Sequence, residues 1–156
     1  MSEKDQQILI YEEDVLLIKS LAEALGLANL DKGDVVCVNE EFVPPDHGAW
    51  TPPDIHVLDN ANTFVRIIPR FVWDSDATLW LINHMCEKYK LFFTMGMRDV
   101  KSGNATLGFE CGAIFQEAAG MGNPRRLSEH PQRAKAWRLA VCRAALLWLQ
   151  AQAEGE

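Results

Sequence analysis

Between Ala105 and Gln116 the side chains Leu107, Phe109, Cys111, Ala113 and Phe115 alternate with Thr106, Gly108, Glu110, Gly112, Ile114 and Gln116. Successive side chains of a strand point to opposite faces, so a two-residue period describes a strand with one buried face and one more open face. The same period runs through Leu91, Phe93, Met95 and Met97, with turn residues from Asp99 to Asn104 between the two runs. The pair predicts a β-hairpin. Helical patterns begin near Asp74 and near Ser128, on either side of it, so the C-terminal half reads as an α-β-β-α unit.

Upstream, Val15, Leu16, Ile18, Leu21, Ala22 and Leu25 follow a helical period, and Glu12, Glu13 and Asp14 suit the positive end of a helix dipole. A first helix is predicted over Glu12–Leu25, ended by Gly26. Short β-rich runs predict strands at Val35–Val38, Ile55–Leu58 and Phe64–Ile68, the last two separated by the turn formers Asp59, Asn60 and Asn62. Pro44, Pro45, Pro52 and Pro53 make the stretch between Val43 and Asp54 a loop, with Trp50 as an apolar anchor inside it. The second helix, Asp74–Tyr89, places Ala77, Trp80, Leu81, His84 and Met85 on one face. Ser128 caps the third helix, Ser128–Ala151, with Pro131 in its first turn. The expected fold is α+β: an antiparallel or partly mixed sheet of four to five strands covered by helices, in a single domain over 1–156. Within it the α-β-β-α unit occupies about 70–151, and a helix, short strands and the proline loop occupy 1–69.

A chain of 156 residues, 48% hydrophobic, fits one globular domain able to bury about 68–70% of its unfolded surface. No apolar run reaches the ~18 positions that span a bilayer, and the opening MSEKDQQ lacks the layout of a signal peptide. A cytoplasmic protein is expected. Cys37, Cys86, Cys111 and Cys142 are widely spaced, and all but Cys86 sit in apolar patterns, as buried thiols in a reducing compartment do. The net charge of −7 argues against a membrane surface and against nonspecific nucleic-acid binding. It is also uneven: residues 1–40 hold nine acidic side chains against three lysines, and residues 124–143 hold six basic ones against Glu129. That polarity suits docking with a charged partner.

The segment FVWDSDATLWLINHM, the hairpin, and the ending RAKAWRLAVCRAALLWL resemble a group of small bacteriophage and prophage proteins, the phage alpha-beta-alpha sandwich domain family. Trp73, Asp74, Asp76 and Trp80 match its aromatic-rich capped helix, and Ala140, Val141, Cys142, Arg143, Ala144, Ala145 and Leu146 match its closing helix. The resemblance covers the chain from Phe64 onward. It implies a phage or prophage origin and a sheet sandwiched by helices, and it carries over no catalytic residue. Small accessory proteins of phages act largely by binding host factors, defence systems included, so by analogy it implies a binder.

Asp46, His47, Asp54, His56 and Asp59 fall close together and offer imidazole and carboxylate ligands, but the His47–His56 spacing fits no helical metal motif and the acids are those that turns demand. No metal and no cofactor are expected. His84 and Cys86, two apart on a helix, face different ways. Cys111 and Cys142 sit in apolar settings where thiols are inert, and Ser128 beside His130 reads as a cap and its neighbour, which leaves no nucleophile with a base. The run Gly120-Met121-Gly122-Asn123-Pro124-Arg125-Arg126 could present two guanidiniums to an anion, though it has neither phosphate-loop spacing nor a dinucleotide fingerprint. Of the five tryptophans, Trp80, Trp137 and Trp148 lie on core stripes, and Trp50 and Trp73 fall at loop or cap positions suited to a partner surface.

The expectation is therefore a non-enzymatic, phage-encoded accessory protein that binds and blocks a host protein, with Arg125, Arg126, Arg133, Trp50 and Trp73 as contacts along the basic segment Arg125–Arg143 and the proline loop. One alternative is a sponge for a small anionic ligand such as a signalling nucleotide, held by Arg125 and Arg126, if need be across a homo-oligomer boundary. Another is a metal-dependent hydrolase using His47, Asp54 and His56.

Overall fold

Helix α1 spans Glu3–Ala24, nine residues longer at its start than the apolar period predicts. The extension is set by a capping box: the Ser2 hydroxyl accepts from the Asp5 amide at 3.1 Å, and the Ser2 amide donates to the Asp5 carboxylate at 3.4 Å. At the other end Gly26 adopts a left-handed φ of 77°, and the Gly26 and Leu27 amides return to Glu23 and Ala22 at 3.0 and 2.8 Å. The computed structural model describes residues 2–38, 53–117, 126–130 and 133–154, and it divides into two compact units, Met1–Arg70 and Phe71–Glu156.

The first unit holds α1, a single 3-10 turn at Leu30–Lys32, and strands β1 (Val35–Val38), β2 (Ile55–Leu58) and β3 (Phe64–Ile68). The three strands form one antiparallel sheet in the order β1-β2-β3, with a register irregularity between Val57 and Leu58. Asp59 builds the β2–β3 turn, since its carboxylate accepts from the Ala61 and Thr63 amides, both at 2.9 Å. Gly33 is held at φ 90°, and a Cβ there would lie 2.9 Å from Asn60 Cβ, so only glycine fits between the 3-10 turn and this loop. Ile18, Leu21 and Ala22 of α1 are fully buried, as are Ile55, Val57 and Ile68 of the sheet.

In the second unit α2 covers Ser75–Tyr89, capped by the Asp74 carboxylate on the Asp76 amide at 3.0 Å. Strands β4 (Leu91–Ser102) and β5 (Ala105–Glu117) make the hairpin, turning at Gly103-Asn104, with Met97 opposite Cys111 and Phe93 opposite Phe115. Helix α3 (Arg133–Glu154) packs on β5 and on β6 (Arg126–His130), and α2 packs on α3. On the side of β5 that the alternation marked, Cys111, Ala113 and Phe115 are buried, while Phe109 is half-buried and Leu107 is 59% exposed. Arg138 joins α3 to the segment before α2, donating to the Val72 carbonyl at 2.7 Å and to the Ser75 hydroxyl at 3.2 Å.

The α+β class stands, but among the described residues the strands are divided between two three-stranded antiparallel sheets, β1-β2-β3 and β4-β5-β6, rather than gathered in one sheet of four to five. The helix expected from Ser128 starts at Arg133, and Arg126–His130 instead adds a third strand to β5, with Cys111 opposite Ser128. Pro131 explains the shift, because a residue before proline is disfavoured in the helical region and His130 therefore stays extended. Trp80, placed on a core stripe by its spacing, is 41% exposed, and Cys37 is half-buried rather than buried. Residues 43–52 of the proline loop lie outside the described residues. Among those described, no helix is long and apolar enough to cross a membrane.

Candidate functional site

The sheet of the first unit is apolar on both faces. On one face Val36, Ile55, Val57 and Ile68 are buried. Register fixes what lies on the other, since directly opposed residues of an antiparallel pair share a face: Val35, Leu58 and Phe64 form one row across the three strands, and Cys37, His56 and Ile67 form the next. Val35, Phe64 and Ile67 are 53%, 57% and 64% exposed, while Cys37, His56 and Leu58 between them are half-buried. The His56 ring lies stacked near Phe64, centroids 6.3 Å apart, and its Nδ1 is buried without a hydrogen-bond partner. This second row thus holds a buried polar atom without a partner, a cost that the surrounding packing bears.

An acidic unit carries this face. Met1–Arg70 holds thirteen Asp and Glu against five Lys and Arg, a net of −8 beside −7 for the whole chain. Asp59 sits in the turn before Phe64, and Asp54, 3.9 Å from Arg70, precedes β2 near the far end of β3.

The residues singled out in the sequence do not converge on one place. Trp50, Arg125, Asp46 and His47 lie outside the described residues, and Arg126 is placed by register opposite Ala113. Trp73 is only 7% exposed and so lies among the buried residues. Arg133 is exposed, but its guanidinium lies 3.6 Å from the Asp99 carboxylate and 4.9 Å from the Phe109 ring centre. Asp54 pairs with Arg70 and Asp59 caps its turn, and no group of three His, Cys, Asp or Glu able to hold a metal occurs among the described residues. Cys111 and Cys142 are buried, and burial pushes the Cys111 thiol above its ordinary range.

Sequence reasoning passed over Val35, Phe64 and Ile67. The available signal was β3 itself: Phe64-Val65-Arg66-Ile67-Ile68 is apolar at four of five positions, more than one buried face requires. No family model, curated protein or solved structure matches the chain.

Proposed function

We propose that this chain works by binding another protein, as an accessory protein of phage origin that occupies a host factor would, and that the open face of β1-β2-β3 is the contact surface. The observation that carries the reading is the pair of cross-strand rows, Val35-Leu58-Phe64 and Cys37-His56-Ile67, with three large apolar side chains more than half exposed. Completing the burial of Phe64 and Ile67 alone is worth about 1–2 kcal/mol each, scaled from 1.5–3 for a whole side chain, the kind of anchor around which interface energy concentrates. The first unit's acidity would steer a basic partner toward the face. The metal-hydrolase reading draws less support, since Asp54 is engaged by Arg70, and the anion-sponge reading rests on Arg125 and Arg126, whose side chains lie outside the described residues.

The test compares the full chain with a Phe64→Ser, Ile67→Thr double variant as baits in a bacterial lysate, with bound proteins identified by mass spectrometry and the direct affinity then measured. Loss of at least tenfold in affinity at unchanged melting temperature is expected. Equal binding by the variant would overturn the assignment of the face.

A further inference from the structure

Strand β3 ends its sheet in the order β1-β2-β3, so among the described residues only β2 pairs with it. Phe64, Val65, Arg66 and Ile67 are all exposed. Edge strands in natural proteins are usually blunted by lysine, proline, inward charge or a cover. Between Phe64 and Ile68 the single charge is Arg66, which register places on the face opposite Phe64 and Ile67, in the row of Val36 and Val57. The edge therefore runs beside two unfinished apolar rows, each ending on a β3 side chain.

Resting on the binding role just argued, we infer that β3 accepts an added strand: an extended segment of another polypeptide, apolar at alternate positions and flanked by lysine or arginine. Strand addition supplies affinity through main-chain hydrogen bonds and specificity through alternate side chains. The alternate apolar side chains of the segment would prolong the rows that end at Phe64 and Ile67, and a neutral residue between them would lie beside Arg66 without repulsion. A basic flank would meet Asp59 at one end of β3, within a unit of net −8, while at the other end Asp54 already lies 3.9 Å from Arg70. The same charge disfavours a second copy at this edge, because β3-to-β3 pairing would bring two such units together.

The probe is the blocked peptide KKITVTIKK, titrated into the full chain with amide hydrogen exchange followed residue by residue. Two control peptides separate the terms: KKITPTIKK keeps charge and most apolar area but breaks the strand, and EEITVTIEE reverses the flanks. Saturable binding is expected, with slowed exchange at the β3 amides that point away from β2 and at least tenfold weaker binding of both controls. No binding up to about 1 mM, corresponding to −4.1 kcal/mol, would overturn the inference, as would equal binding of the proline peptide. Outward β3 amides already protected in the free protein would overturn it too, because the edge is then occupied by the chain itself or by a second copy. If Phe64→Ser, Ile67→Thr abolishes binding while β3 exchange never changes, strand addition fails and the face assignment survives. If neither responds, both fail.

Discussion

Thr78 offers the sharpest test of what holds the second unit together. It is fully buried, and its hydroxyl lies 2.6 Å from the Phe71 carbonyl oxygen and 3.0 Å from that of Asp74. Thr78→Val keeps the branched shape and removes the hydroxyl. The net worth of one such bond is about 0.5–1.5 kcal/mol, and a buried carbonyl left without its partner costs about 1–3 kcal/mol. The Asp74 carbonyl keeps the Thr78 amide at 3.0 Å, so the Phe71 carbonyl bears the loss, and a cost of about 2–3 kcal/mol is expected. Thr78→Ser does the reverse, keeping the hydroxyl and deleting one methyl for about 0.5–1.5 kcal/mol, by analogy with the loss of a single methyl from a core. Urea unfolding followed by tryptophan fluorescence reads mainly this unit, because Trp73, Trp80, Trp137 and Trp148 all lie in it. With a slope of about 1–3 kcal/mol per M, the valine variant should lose on the order of 1 M in midpoint and the serine variant clearly less. Serine costing more than valine would show that packing, and not the hydroxyl, dominates at this position.

Two further outcomes follow from local geometry. His84 stacks on Trp80 with ring centres 4.7 Å apart, and burial, then Lys88, hold its pKa below the ordinary histidine value. The unfolded chain therefore takes up this proton first, so the stability His84 contributes is present above about pH 6.5 and is lost as pH falls through its depressed native pKa. Urea midpoints between pH 7.5 and 5 should fall less in His84→Phe than in the parent, and equal slopes would contradict the assignment. Gly33→Ala combines a left-handed φ with a Cβ 2.9 Å from Asn60 Cβ, and should cost about 1–3 kcal/mol in a melt of the full chain. A neutral result would mean that the 3-10 turn and the Asn60 loop separate freely.

How far the sequence reached depended on whether the deciding contact was local. The strands Val35–Val38, Ile55–Leu58 and Phe64–Ile68 occur with their expected boundaries, and Asp74 caps α2, because turn residues and caps act within a few positions. The division of the six described strands between two sheets was not legible, since pairing partners are chosen by tertiary packing. Arg126–His130 was misread because Ser128 looked like a cap, although Pro131 disfavoured a helical His130 and β5 had an edge to fill. Trp80 shows a different limit: helical period groups residues on a stripe but does not say how wide a stripe the neighbours cover, and here it stacks on His84 while still 41% exposed. The exposed face of β1-β2-β3 escaped notice for a related reason, because a β-rich run marks a strand without saying which of its faces a neighbour covers.

The acidity of the first unit and its open apolar face are best understood together. A sheet with one solvated face ordinarily alternates apolar with polar residues, and on β5 in the second unit the buried side chains Cys111, Ala113 and Phe115 lie on one side, with only glycines buried on the other. In the first unit Phe64 and Ile67 remain exposed although Ile55, Val57 and Ile68 already form a buried face. An apolar face of that kind invites self-association, and a net charge of −8 on the same unit opposes it. Salt should then release the restraint, since the screening length falls from about 10 Å at 0.1 M to about 3 Å at 1 M while apolar attraction persists. Sedimentation velocity should show the parent chain shifting toward dimers or larger species at 1 M sodium chloride compared with 0.1 M, with Phe64→Ser, Ile67→Thr remaining unshifted. If the parent sediments identically at both salts, or the variant associates as readily, the charge is not holding these faces apart and the coupling between acidity and open sheet is wrong.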